Sequence, residues 1–541
     1  MAMSDQTEEK QPVTSITQDE MIAIQRRLQK QFAVAPLAFS TDGKTFSYEA
    51  PLDYAIPAGS YVQIEADDET YVGQVIEKSV EQREGPELSI NVGDALGLFP
   101  EGITMDRATV RPRIRYVDGQ GILLGKVDVA QLAPLQSSDV FQNGVISPAT
   151  PEFINLHLMS GTSDSAGLDV GKAMHGDETN VVALSARGFG RHSFLCGQSG
   201  SGKTYSLGVI LEKMLIRSQL RLLILDPNSD FVRLPVMRDN AGLAHTPDTL
   251  AEFEAVREAI RVLRPGAQSD KHRLAIRFRD LDRHEQAVVL QLDPLENREE
   301  YSGFWRLVEN LGGDDVELSD VLEASIKDTA SESRQINLRV RNLGVSEWSI
   351  WCGRDESSCI SNLDEDWRAL VVDIGTLGLA AEKQVVTLAM LGKLWRQRSE
   401  RKPTLIVIDE AHNICPAEPE TALQELLTEC VIKIAAEGRK FGLYLLLASQ
   451  RPQKIHPNVL SQCDNLILMR MNSVSDMKYV SDVFSFVPPN LVSEASHFRQ
   501  GNSLIAGPVV STATLVQFGR RITEEGGSDV PATWADSARK N

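Results

Sequence analysis

The sequence predicts an α/β protein built around a parallel β-sheet, and two features of the chain indicate this class. Short, continuous apolar segments recur after about residue 148, and most are followed by helix-like stretches. Strands that are apolar on both faces and alternate with helices form parallel sheets covered by helices on both sides. In addition, a glycine-rich loop lies between an apolar strand at 192–196 and a helix-like segment at 205–216. The other apolar segments are 222–225, 369–372, 405–408, 444–448 and 466–469.

The glycine-rich loop fits the G-x-x-x-x-G-K-[ST] pattern of the nucleotide-binding P-loop. A strand, a glycine loop and a helix start, in this order, point backbone N–H groups at phosphates. Lys203 would reach the β- and γ-phosphates of ATP, and the hydroxyl of Thr204 would ligate Mg²⁺. The alternative is a surface turn rich in Gly and Ser, which the flanking strand and helix disfavour. The predicted nucleotide-binding residues are Gly197, Gln198, Ser199, Gly200, Ser201, Gly202, Lys203, Thr204 and Tyr205.

A second apolar segment, 405–408, ends in the adjacent carboxylates Asp409 and Glu410, which is the Walker B pattern. Asp409 would hold Mg²⁺ through water, and Glu410 would polarise the attacking water as the general base. A buried strand with an acidic edge would look the same in isolation. The P-loop in the same chain favours the catalytic interpretation.

Two further polar residues complete the predicted catalytic set. The apolar segment 444–448 is followed by Gln450, which is the candidate for sensing the γ-phosphate from a strand between the P-loop strand and the Walker B strand. Arg439, near the end of a helix-like segment, could stabilise transition-state charge on the nucleotide of a neighbouring subunit. The alternatives are a turn amide for Gln450 and a cation near a helix C-terminus for Arg439. Asp226 is a weaker candidate for ordering metal-bound water.

The length of 541 residues exceeds one ordinary core, so several domains are expected. A capping box at residues 17–20 opens an amphipathic helix to about Gln31, and short alternating strands follow to about residue 133. This pattern of short alternating strands predicts a small β-barrel that follows the helix in sequence. The predicted organisation is a disordered tail at 1–16, the helix and barrel domain at 17–145, a RecA-like P-loop ATPase domain at 146–239 and 346–522, a helical insertion at 240–345, and a polar tail at 523–541.

The composition is that of a globular protein, with 42% hydrophobic residues, 24% charged residues and a net charge of −20. No apolar run approaches the length of a membrane span, the first 16 residues lack the apolar core of a signal peptide, and six scattered cysteines are expected to be reduced. We therefore expect a cytoplasmic protein without a membrane contact. The negative charge argues against coating nucleic acid with the whole surface, but a ring with a basic lining remains possible.

The segment Asp409-Glu410-Ala411-His412 also spells the box of helicases that have two ATPase-like domains in one chain. Too few residues follow Asp409 for a second such domain. Another copy of the chain must therefore complete the nucleotide cleft, which favours a ring.

Together these motifs resemble the HerA–FtsK family of hexameric DNA-pumping ATPases, and the likeness covers most of the chain. The barrel-like N-terminal region is one part of it. The Gly-Arg-Lys segment followed by Ser-Gln-Arg-Pro discriminates more than the P-loop, which many families share. The motifs that carry the resemblance are Arg191-His192, Leu225-Asp226-Pro227-Asn228, Ile408-Asp409-Glu410-Ala411-His412, Glu437-Gly438-Arg439-Lys440 and Ser449-Gln450-Arg451-Pro452.

The resemblance implies a homohexamer that pulls DNA through a central channel by hydrolysing ATP. It also implies a partner nuclease docked on the N-terminal barrel, or, as in some bacterial relatives, a sirtuin-like NADase or another effector in phage defence. By the same resemblance, Arg439 becomes an arginine finger that acts on the neighbouring subunit's nucleotide.

Two questions stay open at this stage. An ATP-gated scaffold that assembles and activates a defence effector, with little productive translocation, is the alternative function. The long segment between Asp226 and Ala369 is a departure from the family pattern, and the basic stretch 271–279 within it could face DNA or form a solvated strand edge.

Overall fold

The computed structural model describes residues 33–54, 56–84, 113–128, 131–160, 166–312, 316–353 and 356–527, with six further residues between 19 and 30. Those six residues are helical and fall within the predicted N-terminal helix. The predicted tail at 1–16 lies outside the described residues. Internal contacts divide the chain into two compact units, Met1–His157 and Leu158–Asn541.

The first unit is an antiparallel sheet of seven strands, which are β1 (Leu37–Ser40), β2 (Thr45–Pro51), β3 (Tyr61–Ala66), β4 (Glu69–Glu84), β5 (Arg113–Asp128), β6 (Gln131–Ala133) and β7 (Phe141–Pro148). Their order is β2-β1-β7-β3-β4-β5-β6. β2 also pairs with β5, so that hydrogen bonds close six of these strands into a ring. A closed ring leaves no free strand edge among its members.

Inward-facing side chains of alternate strand positions fill this ring. In β2, Phe46, Tyr48 and Ala50 are buried while their neighbours along the strand are more exposed, as a half-buried strand requires. Glycine at position 121 lets β5 pass close to the aromatic side chain of Phe46. A Cβ at this position would lie 2.3 Å from the Phe46 side chain and 2.4 Å from the backbone oxygen of Gln74. A side chain at this position would therefore force strand β5 away from its neighbour.

The second unit is built on one sheet of eleven strands, which are β8 (Gly167–Ala173), β9 (Val181–Ser185), β10 (His192–Cys196), β11 (Arg221–Asp226), β12 (Ile260–Leu263), β13 (Ala369–Asp373), β14 (Thr404–Ile408), β15 (Leu443–Ser449), β16 (Cys463–Met469), β17 (Asn502–Ala506) and β18 (Thr514–Phe518). The order is β12-β13-β11-β14-β15-β10-β16-β17-β18-β8-β9. Strands β12 to β16 in this order are parallel, whereas β17, β18, β8 and β9 continue the sheet as antiparallel strands. The predicted parallel sheet is thus the larger part of a mixed sheet.

The helices of the described residues are α1 (Pro151–Ser160), α2 (Lys203–Arg217), α3 (Pro247–Arg257), α4 (Arg283–Val289), α5 (Arg298–Asn310), α6 (Leu318–Lys327), α7 (Ser331–Leu343), α8 (Ala380–Arg396), α9 (Ala422–Glu437), α10 (Pro457–Leu460), α11 (Val474–Val483) and α12 (Pro489–Ser493). α2, α8 and α9 each bury a long row of apolar residues. Within the described part of the chain, every helix is too short or too polar to cross a membrane.

The segment predicted to be a helical insertion, 240–345, contains helices α3 to α7. It also contains β12, which pairs in parallel with β13 at one edge of the central sheet. The segment is therefore joined to the ATPase sheet by strand pairing, which the helical prediction did not include. The strand was missed because Ile260–Leu263 is only four residues long, has an arginine at its second position, and lacks the apolar continuity of the central strands.

The C-terminal residues differ from the predicted polar tail at 523–541. Thr523 is buried and forms an isolated bridge with Met237, and Glu524 and Glu525 form ion pairs with Arg233 and Arg238. Packing therefore continues through residue 527, while 528–541 lie outside the described residues. Two short strands, β17 and β18, precede these residues.

Candidate nucleotide-binding site

The predicted P-loop joins the carboxyl end of β10 to the start of α2. Two of its glycines have left-handed backbone angles, with φ of 72° at Gly200 and 93° at Gly202. Residues with a Cβ adopt this region at a cost, so glycine permits the tight turn. At Gly202 a Cβ would also lie 3.2 Å from the backbone nitrogen of Gly501. The glycines of the motif are thus required by the conformation of the loop.

Neighbouring strand ends hold the loop in place. The backbone nitrogen of Gln198 donates to the carbonyl of Arg470 at 2.9 Å, and the Arg470 guanidinium donates to the carbonyl of Gly200 at 3.2 Å. Gly501 donates its backbone N–H to the carbonyl of Ser201 at 3.0 Å. Because these contacts come from β16 and from the start of β17, the loop is positioned before any ligand binds.

Lys203 meets both carboxylates of the Walker B pair. Its Nζ lies 2.7 Å from Oδ1 of Asp409 and 2.7 Å from Oε1 of Glu410, and all three side chains are buried. Burial by itself would lower the pKa of Lys203, but the two negative charges outweigh it and the pKa lies above its ordinary value. The ammonium group is therefore charged and available for phosphates at neutral pH.

The acidic pair follows β14, which lies between β11 and β15 in the sheet. Glu410 has φ of 46°, and its backbone nitrogen donates to Oδ1 of Asp409 at 2.9 Å. The other carboxylate oxygen of Asp409, Oδ2, is buried and has no hydrogen-bond partner among the described residues. A buried carboxylate oxygen without a partner suits a water bound to Mg²⁺, so Asp409 and Thr204 fit the predicted metal.

Two further side chains approach Glu410, Gln450 from the exit of β15 and His412 from the turn that follows β14. Gln450 donates from Nε2 to Oε1 of Glu410 at 2.9 Å. His412 lies 3.3 Å from Oε2 of Glu410 and 3.0 Å from the hydroxyl of Ser449. Burial would raise the pKa of Glu410, but the charge of Lys203, helped by hydrogen bonds from Lys203 and Gln450, brings the net pKa below its ordinary value.

The strand that carries Gln450 lies where the sequence predicted it. β15 pairs with the P-loop strand β10 on one side and with the Walker B strand β14 on the other. The carboxyl ends of these three parallel strands meet at one edge of the sheet, which is where α/β proteins bind ligands. The structure therefore brings Lys203, Asp409, Glu410 and Gln450 together.

A cavity of about 480 Å³ opens over this edge. It is lined by Gln198, Ser199, Gly200, Gly202, Lys203, Thr204, Tyr205, Asn228, Asp230, Glu410, Gln450, Gln500, Glu525 and Gly527. Of the predicted nucleotide-binding residues, only Gly197 and Ser201 are absent from this lining. A larger groove of about 850 Å³ between α4, α8 and α9 contains none of the motif residues.

Asp230 is a lining residue that sequence reasoning missed. Its Oδ2 lies 3.4 Å from the hydroxyl of Thr204, and its pKa is raised to about 6 by burial and then by the charge of Asp409. The predicted weaker candidate, Asp226, is instead fully buried and accepts the backbone N–H groups of Asp230 and Phe231 at 3.0 and 2.8 Å. Asp230 lies at the cavity because of the turn that follows β11, and the conformation of this turn could not be predicted from the sequence.

Arg439 lies away from this cavity. It follows α9 and forms an ion pair of 3.2 Å with Asp464, which Arg191 also approaches at 3.3 Å. Asp464 and Arg191 lie at the amino ends of β16 and β10, and a five-residue strand separates that edge from the P-loop by roughly 15 Å. Arg439 therefore cannot reach the nucleotide cavity of its own chain.

A strand, a glycine loop and a helix that present a lysine to an adjacent aspartate and glutamate define a nucleotide site of the P-loop ATPase class. Residues 168–341 match the family model described as the central domain of the helicase HerA. The predicted resemblance to the HerA–FtsK family is thereby confirmed. The match runs through most of 240–345, the segment predicted to be a helical insertion.

Relatives with known names agree with this family. A DNA double-strand break repair helicase HerA of Sulfurisphaera tokodaii is 24% identical over 508 residues, which cover 88% of this chain and 91% of that protein. A probable DNA double-strand break repair helicase HerA of Methanocaldococcus jannaschii is 33% identical over 129 residues, 24% of this chain and 25% of that protein. Among solved structures, VirB4 of Thermoanaerobacter pseudethanolicus aligns with a TM-score of 0.45 and 15% identity over 69% of this chain and 99% of that one.

Proposed function

We propose that the protein is an ATP hydrolase that drives DNA translocation or unwinding as a homohexameric ring. The observation that carries the proposal is the convergence of Lys203, Glu410 and Gln450 on one cavity at the carboxyl edge of the sheet. An ammonium group, a carboxylate and an amide at this place are the parts needed to hold a triphosphate and activate water. The likeness to HerA helicases supports DNA as the substrate.

Each residue has a separate task in the proposed reaction. Lys203 exchanges its two carboxylate partners for the β- and γ-phosphates, and the backbone N–H groups of the loop bind the remaining phosphate oxygens. This exchange frees Glu410 from the Lys203 charge that lowers its pKa, so the carboxylate becomes a stronger acceptor for a proton of the attacking water. Thr204 and Asp409 would hold Mg²⁺, which neutralises charge on the phosphates.

The position of Arg439 supports a ring. Because its guanidinium lies at the amino edge of the sheet, it can act only on a nucleotide bound to another copy of the chain. The ion pair with Asp464 is partly exposed, so the side chain can leave it at little cost when a neighbouring nucleotide is present. A closed ring gives each site a neighbour that supplies this arginine.

The proposed ring carries DNA in its central channel and works with a partner nuclease, or with a sirtuin-like or other defence effector, docked on the N-terminal unit. A net charge of −20 is compatible with this, because only the channel lining meets phosphate. We propose a cytoplasmic location on the sequence features given above.

The test measures steady-state ATP hydrolysis with and without long duplex DNA, together with the mass of the assembly by mass photometry. A hexamer whose turnover rises with duplex DNA, and a Lys203→Ala control without turnover, are the expected results. Hydrolysis that ignores DNA but responds to an effector from the same operon would favour an ATP-gated scaffold. Absence of Mg²⁺-dependent hydrolysis in both assays would contradict the proposed function.

A further inference from the structure

A carboxylate outside the motifs lies beside the predicted metal ligand. Oδ2 of Asp230 is 3.4 Å from Oγ1 of Thr204, and both residues line the nucleotide cavity with Lys203 and Glu410. A hydroxyl has one hydrogen to donate and two lone pairs to offer. When Thr204 donates its hydrogen to Asp230, its lone pairs point away from Asp230 and remain available to a cation.

The surrounding chain fixes Asp230 in this position from several sides. Asp226 accepts the backbone N–H of Asp230 at 3.0 Å, and Ser229, with φ of 61°, donates its hydroxyl to Asp373 at 2.7 Å. Gly526 donates its backbone N–H to the carbonyl of Asp230 at 2.9 Å. The turn is thus tied to two neighbouring strands and to the C-terminal segment.

The unpartnered Oδ2 of Asp409 is a second observation at the same place. Asp230 lines the cavity together with Lys203, and the ammonium group of Lys203 lies 2.7 Å from Asp409, so both carboxylates belong to one site. Mg²⁺ keeps several of its water ligands and is held in nucleotide sites by one or two carboxylates together with substrate phosphates. Asp230, which lies 3.4 Å from the Thr204 hydroxyl, and Asp409, which contacts the neighbouring Lys203, provide two carboxylates that match that requirement.

We propose that Asp230 is a positioning residue of the magnesium site, which orients the Thr204 hydroxyl and accepts hydrogen bonds from the water ligands of the ion. This inference rests on the proposed ATPase function. It predicts that the charge of Asp230 has opposite effects on nucleotide binding in the absence and in the presence of a divalent cation. Without a divalent cation, Asp230 repels the phosphates, because like charges lie close together in a partly buried cavity. With the cation present, the same charge strengthens binding.

The test uses the full chain and the slowly hydrolysed analogue ATPγS, with binding measured by isothermal titration calorimetry in EDTA and across a Mg²⁺ series. We expect Asp230→Asn to bind ATPγS in EDTA at least as tightly as the wild type. The Mg²⁺ concentration that gives half of the full enhancement should rise roughly tenfold, as for other residues that act through water or a ligand. Asp230→Ser, which is smaller and neutral, should show the same two effects as Asp230→Asn. Asp230→Glu restores a carboxylate and should bring the Mg²⁺ midpoint part of the way back to the wild-type value.

The matched control is Glu524→Gln, which removes a nearby carboxylate that does not line the cavity. Glu524 forms its ion pair with Arg233, so its removal should leave the Mg²⁺ midpoint unchanged. An unchanged midpoint in Asp230→Asn would overturn the proposal. Loss of ATPγS binding by Asp230→Asn in EDTA would also overturn it, because the residue would then hold the P-loop itself. A wild type without Mg²⁺-enhanced binding would instead refute the proposed ATPase function, and with it this inference.

Discussion

At the residue scale, we propose that Lys203 links nucleotide binding to hydrolysis, because its ammonium group contacts both Asp409 and Glu410. With both contacts at 2.7 Å, the lysine holds Glu410 close to where the γ-phosphate is expected. Phosphates compete with the carboxylates for the same charge. In the proposed reaction, the nucleotide therefore displaces Glu410 from Lys203 before Glu410 accepts a proton.

Substitutions of these two residues should separate binding from chemistry. Lys203→Ala removes the charge that neutralises the phosphates, and we expect tight ATP binding to be lost. Glu410→Gln keeps the shape but removes the proton acceptor, so binding should persist while turnover falls between about a hundredfold and ten thousandfold. Calorimetry with ATPγS and a phosphate-release assay measure the two effects. Wild-type affinity in Lys203→Ala would refute the P-loop assignment, and robust turnover by Glu410→Gln would refute the assignment of the base.

Arg439 gives a residue-scale prediction that depends on the assembly. We expect Arg439→Ala to bind ATP and assemble normally but to hydrolyse it roughly a thousandfold more slowly, because a finger acts on the transition state. Mixing Arg439→Ala with Glu410→Gln, each inactive alone, should restore some turnover at interfaces that combine a wild-type Glu410 with a wild-type Arg439. Subunit exchange is verified by native mass spectrometry. If exchange occurs and no activity returns, Arg439 does not act across the interface.

Most of the site could be predicted because local sequence encodes it. The P-loop fits within eight residues, and Asp409 and Glu410 follow their strand directly. Asp230 could not be predicted, because its place depends on a turn held by Asp226, by Asp373 through Ser229, and by a backbone contact from residue 526. Contacts between residues this far apart in the sequence cannot be recognised from a local sequence pattern. The roles of all these residues remain predictions until the variants are measured.

At the element scale, the polar carboxyl end of β15 lies close to Glu410 and His412. His412 lies between Oε2 of Glu410 and the hydroxyl of Ser449, and that hydroxyl also accepts the backbone N–H of Arg451 at 3.0 Å. Burial, only partly offset by the charge of Glu410, lowers the pKa of His412 below its ordinary value. At neutral pH the ring is therefore neutral, and its Nδ1 bonds to Ser449 while lying beside the carboxylate of Glu410.

We expect His412→Ala to lower kcat for ATP by between about ten- and a hundredfold with little change in KM, because the base loses its orientation and nucleotide binding does not. Ser449→Ala should show a smaller effect of the same kind. Steady-state kinetics measure both, and His497→Ala, which removes a histidine outside the nucleotide cavity, is the control. A rise in KM at constant kcat would show that His412 serves binding rather than positioning.

The C-terminal segment is an element that supports the P-loop helix. Arg521 is fully buried, and its Nε donates to Glu212 of α2 at 3.1 Å, while Ile522 and Thr523 donate their backbone N–H groups to the same carboxylate. The backbone nitrogen of Arg521 also donates to the Tyr205 hydroxyl at 2.9 Å. The segment thereby connects β18 to the residue that follows Thr204.

Arg521→Ala should destabilise the second unit by about 3–5 kcal/mol, because it leaves Glu212 buried without its countercharge. The thermal midpoint of ATPase-domain unfolding, followed by calorimetry, should fall clearly below that of the wild type. Arg520→Ala changes an exposed neighbour and is the matched control. Equal midpoints for Arg521→Ala and Arg520→Ala would show that the buried pair does not stabilise the domain.

Strands were predicted correctly where the residues of the strand itself show a clear hydrophobic pattern. The central strands are uniformly apolar because both faces are buried, and β10, β11, β13, β14, β15 and β16 were recognised for that reason. β12 was missed because a short edge strand needs less apolar surface. The packing of residues 523–527 was missed because polar residues there are held by long-range contacts, such as Thr523 with Glu212 and Glu524 with Arg233.

At the scale of the whole molecule, the described residues that touch the nucleotide cavity all belong to the second unit. Six strands of the first unit form a closed ring with its own core, and none of the described residues of this unit lines the cavity. Chemistry therefore does not explain its presence. Six copies of one rigid face in a hexamer would bind an oligomeric effector with avidity. The alternative is that this unit stabilises the ring by contacts between subunits.

Deleting residues 1–145 separates these two roles. If the first unit serves docking, the truncated protein should still form hexamers with ATP, keep its ATPase activity, and lose co-purification with the effector encoded beside it. Mass photometry, phosphate release and a pull-down with tagged effector measure the three outcomes on the same preparation. The matched control carries Lys203→Ala in the full chain, which should lose turnover and retain the effector. A truncated protein that falls to monomers makes the first unit a ring-building element, and retained effector binding by an intact truncated hexamer would place the docking surface on the second unit.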